Sequence, residues 1–230
     1  AAIPPRPRAI YLNSPSNPTG WTADPATLEA ILTEARRRGL WIIADEVYSR
    51  FVRGGLTRAP SFIDIAEPDD RILYVNTFSK NWAMTGWRVG WLSAPPEIAQ
   101  IVENLIQYST SGVAEFMQHA AHAALTQGEG FLAEQTARAD RGLEIVATAL
   151  GESGRARFAR PDGAFYLFFG IEGEDDSRAL AKRIVSETGV GLAPGRAFGV
   201  EGEGFLRLCF ARSERDLSMA AGRLRDWIAR

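Results

Sequence analysis

The chain has 230 residues, 46% of them hydrophobic, which is enough for a sizeable core in one large or two small globular domains. Its formal net charge of −2 offers no basic face for nucleic acid, and no apolar run approaches the ~20 residues that span a bilayer, so a soluble protein with neither partner is expected. Cys209 is the single cysteine, which excludes an intrachain disulfide; its apolar neighbours point to a buried small hydrophobe and a reducing, cytoplasmic compartment. The only histidines, His119 and His122, stand three apart on an expected helix with no cysteine nearby, and no metal site is expected.

The chain opens Ala1-Ala-Ile-Pro-Pro-Arg-Pro-Arg, without an initiator Met, and enters a strand almost at once, so it reads like a cut and no targeting signal can be judged. Residues 9–12 form a short apolar strand, and the Pro/Ser/Asn/Gly cluster through Gly20 is a loop. Asp24 then caps a helix with Pro25 at its first position and Leu28, Ile31, Leu32 and Ala35 as its apolar stripe. Arg36, Arg37 and Arg38 lie near its negative end, and Gly39 stops it. The continuous apolar run 41–44 predicts a strand covered on both faces, which delivers Asp45 to the carboxyl edge of a sheet. A polar connection with weak helical content follows over 54–70. Strands are then predicted at 72–75 and 90–93, with residues 76–80 turning away from the first.

Pro95-Pro96 opens the next helix. Apolar residues recur at helical spacing over 97–108 and 113–125, predicting two core-facing helices. A long helix over 128–150 presents Phe131, Leu132, Leu143, Ile145, Val146 and Leu150, and the domain boundary is placed near its start, giving segments 1–127 and 128–230. The second segment reads as strand 163–169, helix 177–188, strands 190–193 and 205–210, and a helix from Ser213. That last helix has a capping pattern at Ser213 and Asp216 and a buried face of Leu217, Ala220, Ala221, Leu224 and Ile228. Both segments are therefore α/β.

Lys80 falls among small hydroxyl residues just past the 72–75 strand, where an α/β sheet binds its ligands. A lysine amine there can condense with an aldehyde to a Schiff base if its surroundings lower its pKa or hold a cofactor against it. Around it stand Ser79-Lys80 and Met84-Thr-Gly-Trp-Arg88-Val-Gly-Trp91, preceded by Asn13-Ser-Pro-Ser-Asn17-Pro-Thr-Gly20 and Ala44-Asp45-Glu-Val-Tyr48. Pro161-Asp-Gly-Ala-Phe-Tyr166 and Phe205-Leu-Arg207-Leu follow. In this order the segments resemble the class I/II (fold type I) pyridoxal-phosphate aminotransferases, along the whole chain but only with the family's second half.

The resemblance implies an aspartate-aminotransferase-like α/β fold. Residues 1–127 would be the C-terminal part of a large cofactor-binding domain with a mostly parallel sheet, and 128–230 a smaller α/β domain. It implies pyridoxal 5′-phosphate on Lys80, which would also carry a proton during transfer. Asp45 would keep the pyridine nitrogen protonated, and Asn17 and Tyr48 would donate hydrogen bonds to the ring's phenolic oxygen. Thr77, Ser79 and Arg88 match positions that bind the phosphate, two hydroxyls and a guanidinium suiting a dianion. Arg207, flanked by apolar residues in a strand, would pair with a substrate α-carboxylate, aided by Asn17. Gly86, Trp87 and Gly90 are expected to be architectural; Gly163 would permit a tight approach, and Phe165 or Tyr166 either faces the site or packs in a core strand.

The implied activity is transfer of an amino group from an L-amino acid to a 2-oxo acid by a protein that is a homodimer when complete. Carbon–sulfur lyases share such a site, and some transcription regulators carry an aminotransferase-like domain. In the resembled family the earlier half supplies a phosphate loop, a ring stacked on the cofactor and much of the dimer contact, so these 230 residues alone are not expected to be a competent enzyme.

Overall fold

In a computed structural model the protein is described at residue 4 and over residues 6–230; the rest of the opening stretch, Ala1 to Ile3 and Pro5, lies outside the described residues. Two compact units emerge. One comprises residues 1–15 and 22–133, the other residues 16–21 and 134–230.

The first unit is built on a four-stranded sheet. β1 (Ala9–Asn13), β2 (Trp41–Asp45), β3 (Ile72–Thr77) and β4 (Gly90–Ser93) lie in that order, the first three parallel and β4 antiparallel to β3. Between β1 and β2 runs α1 (Pro25–Arg38). Asp24 accepts from the Thr27 amide at its start, and Gly39 at φ 64° closes it, a left-handed position that glycine adopts without a Cβ penalty. Leu28, Leu32 and Ala35 of α1 pack with Ile42, Ala44, Phe62 and Ile72 into one cluster. β2 therefore buries one face only: Ile42 and Ala44 are buried while Trp41, Ile43 and Asp45 are half-buried, so the expectation of cover on both faces does not hold. A single 3-10 turn at Phe62–Asp64 supplies the helical content of the 54–70 connection.

β3 extends two residues beyond the expected strand before α2 (Phe78–Asn81), a single turn capped by Thr77. α3 (Ala99–Ser109) and α4 (Glu115–Gln127) form where periodicity places them, but α3 has no buried residue and α4 only Ala121. Ile101, Leu105, Tyr108 and Phe116 are exposed, so the expectation of a core-facing helix fails for α3, whereas α4 sets Met117, Ala120, Ala121 and Ala124 against a cluster of Phe78, Trp82, Met84 and Val89.

α5 (Glu129–Glu152) continues from the first unit into the second. Leu132, Leu143, Val146 and Leu150 are buried as the periodicity requires, whereas Phe131 is exposed. The second unit's sheet has the order β5 (Ala156–Phe158), β6 (Tyr166–Ile171), β8 (Phe205–Cys209), β7 (Ala193–Pro194), antiparallel throughout. α6 (Ser177–Thr188) and α7 (Glu214–Ile228) bury Leu180, Ile184, Leu217, Leu224 and Ile228. β5 was not expected: at three residues, Ala156-Arg157-Phe158, its alternation is too short to stand out as a strand. β6 starts at Tyr166 rather than residue 163 because Ala164, at φ 53°, interrupts an extended chain. The strand expected at 190–193 reduces to Ala193–Pro194: Gly191 weakens an extended segment, and Pro194 has no amide hydrogen to extend the ladder. Cys209 is half-buried rather than buried. Among the described residues, no helix is long and apolar enough to cross a membrane.

Candidate active site

In the first unit, three parallel strands bring chemistry to one edge. β1 and β2 pair Asn13 with Asp45, and β2 and β3 pair Asp45 with Val75, so Asp45 ends its strand beside the strand that leads into Lys80. Asn13 Nδ2 donates to the Asp45 carbonyl (3.1 Å), as does the Ser14 amide (3.1 Å), pinning the backbone under the carboxylate. The carboxylate accepts from the Tyr11 hydroxyl at Oδ2, while the Val47 amide leans on Oδ1 at 3.4 Å. Tyr11 is 62% exposed as a residue, yet desolvation, then the bond and the charge of Asp45, push its hydroxyl up to about 12, so it remains a donor at neutral pH.

Tyr48 is buried, and the Lys80 Nζ lies 5.9 Å from the centroid of its ring, within cation–π range. Lys80 itself is half-buried in α2. The neighbouring Glu46 turns elsewhere: it accepts from the Ser61 hydroxyl at 2.5 Å, tying the 54–70 connection to the strand end, and burial raises its carboxyl above the usual range. Ser79 is buried. The Thr77 hydroxyl is engaged at both ends, accepting from the Ser79 amide (3.1 Å) and donating to the Val89 carbonyl (3.2 Å). Arg88 is exposed, sits at φ 54° and donates from Nη1 to the Thr85 carbonyl at 3.0 Å. Gly90 is architectural in a definite sense, since a Cβ there would stand 2.6 Å from the Asn76 carbonyl oxygen.

In the second unit, β8 alternates: Leu206 and Leu208 are buried, and Arg207 projects from the other face beside its partner Phe168. The guanidinium carbon lies 4.4 Å from the Tyr166 ring and 4.8 Å from the Phe198 ring, and Nη1 donates to Asn17 Oδ1 at 2.8 Å. Its Nε is buried without a hydrogen-bond partner, and no ion pair holds it among the described residues. A buried donor left unmatched is costly, and a fork of this shape suits a carboxylate. Asn17 is positioned by the loop that ends at Gly20. There φ is 71°, the carbonyl accepts from the Gly163 amide (2.8 Å), and a Cβ would stand 2.3 Å from Pro161 Cβ. Gly20 and Gly163 thus lie close together, a Cβ on Gly20 standing 2.8 Å from the Gly163 carbonyl oxygen. Tyr166 proves to be both a strand residue and one wall of the Arg207 cradle; Phe198, from the 3-10 turn Gly195–Phe198, is the other and was not singled out in the sequence.

The sequence matches the model of the family "Aminotransferase class I and II" over residues 2–224. It is 37% identical over 221 residues to an aspartate aminotransferase of Thermotoga maritima, covering 96% of this chain and 56% of that protein. It is 35% identical over 225 residues to an arginine–pyruvate transaminase of Pseudomonas aeruginosa, covering 97% and 57%. The structure of an aminotransferase from Mycobacterium tuberculosis superposes with a TM-score of 0.91 at 31% identity, covering 99% of this chain and 59% of that one. The chain thus spans somewhat more than half the length of the relatives it matches. Its α/β fold is that of the aspartate aminotransferases, and the chain belongs to the class I and II aminotransferase family.

Proposed function

We propose that the protein carrying this chain is a pyridoxal-phosphate-dependent aminotransferase that moves the amino group of an L-amino acid to a 2-oxo acid. The observation that carries this reading is the placement of Lys80 at the end of β3, its amine over the Tyr48 ring, beside the strand that ends in Asp45. A primary amine, a carboxylate, a phenol, a buried serine and a guanidinium in one unit suit an aldehyde-bearing, phosphorylated pyridine. When bound, that group supplies an electron sink for the bond broken at the substrate's α-carbon.

The chain's own residues would then act as follows. Lys80 attaches the cofactor through its amine and, when displaced, carries a proton to and from the α-carbon. Asp45 holds a proton on the ring nitrogen, while Tyr48 and Asn17 donate to the ring oxygen. Ser79 and Arg88 bind the phosphate. Thr77 belongs to that set only if its hydroxyl gives up the Val89 carbonyl; otherwise its contribution is to cap α2. Arg207, anchored through Nη1 on Asn17 with its guanidinium near the Tyr166 and Phe198 rings, takes the substrate α-carboxylate.

Residues 1–127 would be the C-terminal part of the cofactor-binding domain and 128–230 the smaller domain, a reading supported by the presence of two compact units. The exposed stripe of α3 and the exposed Phe116 of α4 support further burial in a homodimer. The single cysteine suits the cytoplasm. The test is Lys80→Ala in the full-length protein: the visible absorbance of attached cofactor and turnover with 2-oxo acids should both vanish. Turnover near the wild-type rate would refute the proposal.

A further inference from the structure

Tyr11 is a tyrosine on the coreless side of β1 whose hydroxyl is spent on one carboxylate. Ile10 and Leu12 pack on the α1 cluster, so Tyr11 and Asn13 point to the opposite face, the face that also carries Ile43 and Asp45. The register places Asn13 opposite Asp45 and Tyr11 opposite Ile43. The phenol therefore reaches the Asp45 carboxylate from two residues lower on the sheet, and it leaves the carboxyl edge, where ligands enter such sheets, open above the carboxylate. From below it takes Oδ2. A carboxylate held at one oxygen by a phenol, with its backbone pinned by Asn13 and Ser14, has little freedom to rotate.

We propose that Tyr11 is a positioning residue for the cofactor: by donating to Oδ2 it fixes the Asp45 carboxylate in the orientation that pairs with the protonated ring nitrogen. This rests on the reading of Asp45 as the partner of that nitrogen. The hydroxyl, held up to about 12, stays protonated and available throughout the neutral range. Preorganisation of this kind acts only through the ring nitrogen, so it discriminates between ligands that have one and ligands that do not.

The experiment measures affinity of the full-length apoprotein, by absorbance titration, for pyridoxal phosphate and for its 1-deaza analogue, in which carbon replaces the ring nitrogen. Wild type, Tyr11→Phe, Asp45→Ala and the double variant are compared. Tyr11→Phe removes only one oxygen from an exposed side chain, so folding is not at risk. It should weaken pyridoxal phosphate about tenfold, the lower end for one hydrogen bond to a charged group, and leave the analogue within about twofold. In the Asp45→Ala background the same change should have no effect. Equal weakening of both ligands by Tyr11→Phe would mean simple packing, and no weakening of either would mean an idle contact; each overturns the proposal. If Asp45→Ala keeps the wild-type preference for the nitrogen-bearing ligand, the assignment of Asp45 itself falls and the role of Tyr11 with it, an outcome distinct from a failure of Tyr11 alone.

Discussion

Replacing Arg207 by alanine removes a guanidinium that the second unit holds against Asn17, Tyr166 and Phe198, and on the proposed reading removes the partner of the substrate carboxylate. Nη1 is satisfied by Asn17 and the flat faces by Tyr166 and Phe198, while Nε is buried and unmatched. A carboxylate approaching the fork can take two charge-assisted hydrogen bonds, each worth roughly 1.5–3 kcal/mol. Their loss is offset in part because the variant no longer buries an unmatched donor. The expected net loss is roughly 3–4 kcal/mol, on the order of 10²–10³-fold in kcat/KM. The assay compares kcat/KM for L-amino acids with that for the corresponding amines lacking the carboxylate, with a thermal melt to show that the unit remains folded. Arg207→Lys keeps the charge but not the planar fork or the stacking, and should recover only part of the loss. Equal losses for amino acids and simple amines would refute carboxylate recognition by Arg207.

Asp45→Asn should retain cofactor but lose several orders of magnitude in turnover, because a neutral partner no longer holds a proton on the ring nitrogen; single-turnover rates near wild type would contradict this. Gly20→Ala places a Cβ 2.3 Å from Pro161 Cβ at a residue with φ 71°, and should destabilise by roughly 2–4 kcal/mol in denaturant unfolding. A change within about 0.5 kcal/mol would show that the Gly20 approach to Pro161 and Gly163 relaxes freely. Asp70 is gripped by both Arg36 nitrogens, at 2.8 and 2.6 Å, and that pairing lowers its carboxyl below the ordinary 3.8. A depressed carboxyl contributes stability above its unfolded pKa and loses it as pH falls through the folded value. Asp70→Asn should therefore lower the melting temperature at pH 7, and the gap should close as pH falls through the lowered carboxyl; a gap that stays constant into acid would exclude the linkage.

Elements announced by local chemistry were legible from sequence. α1 begins at a capping aspartate and a proline and ends at a glycine in the left-handed region, and all three signals are written in adjacent residues. The helix at Ser177–Thr188 and the strand at Gly90–Ser93 fall at the expected positions for the same reason. The strand ends that carry Asp45 and Lys80 were legible because parallel strands deliver their following loops to one edge. The contacts around them were not. Tyr11 reaches Asp45 only because β1 and β2 adopt one particular register, and periodicity of two names a face but not a partner two residues along a neighbouring strand. The available signal was a tyrosine out of phase with Ile10 and Leu12. Likewise Tyr166 meets Arg207 diagonally across the β6–β8 pair, and Phe198 arrives from a turn with no periodic pattern.

Of the two helices that were expected to face a core, α3 shows the limit of periodicity most clearly. α7 and α3 carry apolar residues at the same helical spacing, yet Leu217, Leu224 and Ile228 are buried while Ile101, Leu105 and Tyr108 are exposed at 59%, 63% and 94%. The difference does not lie in the helices. α7 has α6 beside it with its own buried stripe, whereas α3 and β4 leave an open groove of about 340 Å³ lined by Leu92, Ala99, Val102 and Ile106. An amphipathic stripe states that a face gains free energy when covered, on the order of 1.5–3 kcal/mol for each large side chain fully buried, and it is silent on what does the covering. For α3 no cover stands among the described residues, so its spacing fixes it as a helix while its burial depends on whatever surface meets it in the complete protein; α4, with Met117, Ala120, Ala121 and Ala124 against Phe78, Trp82, Met84 and Val89, already has a cover for one face.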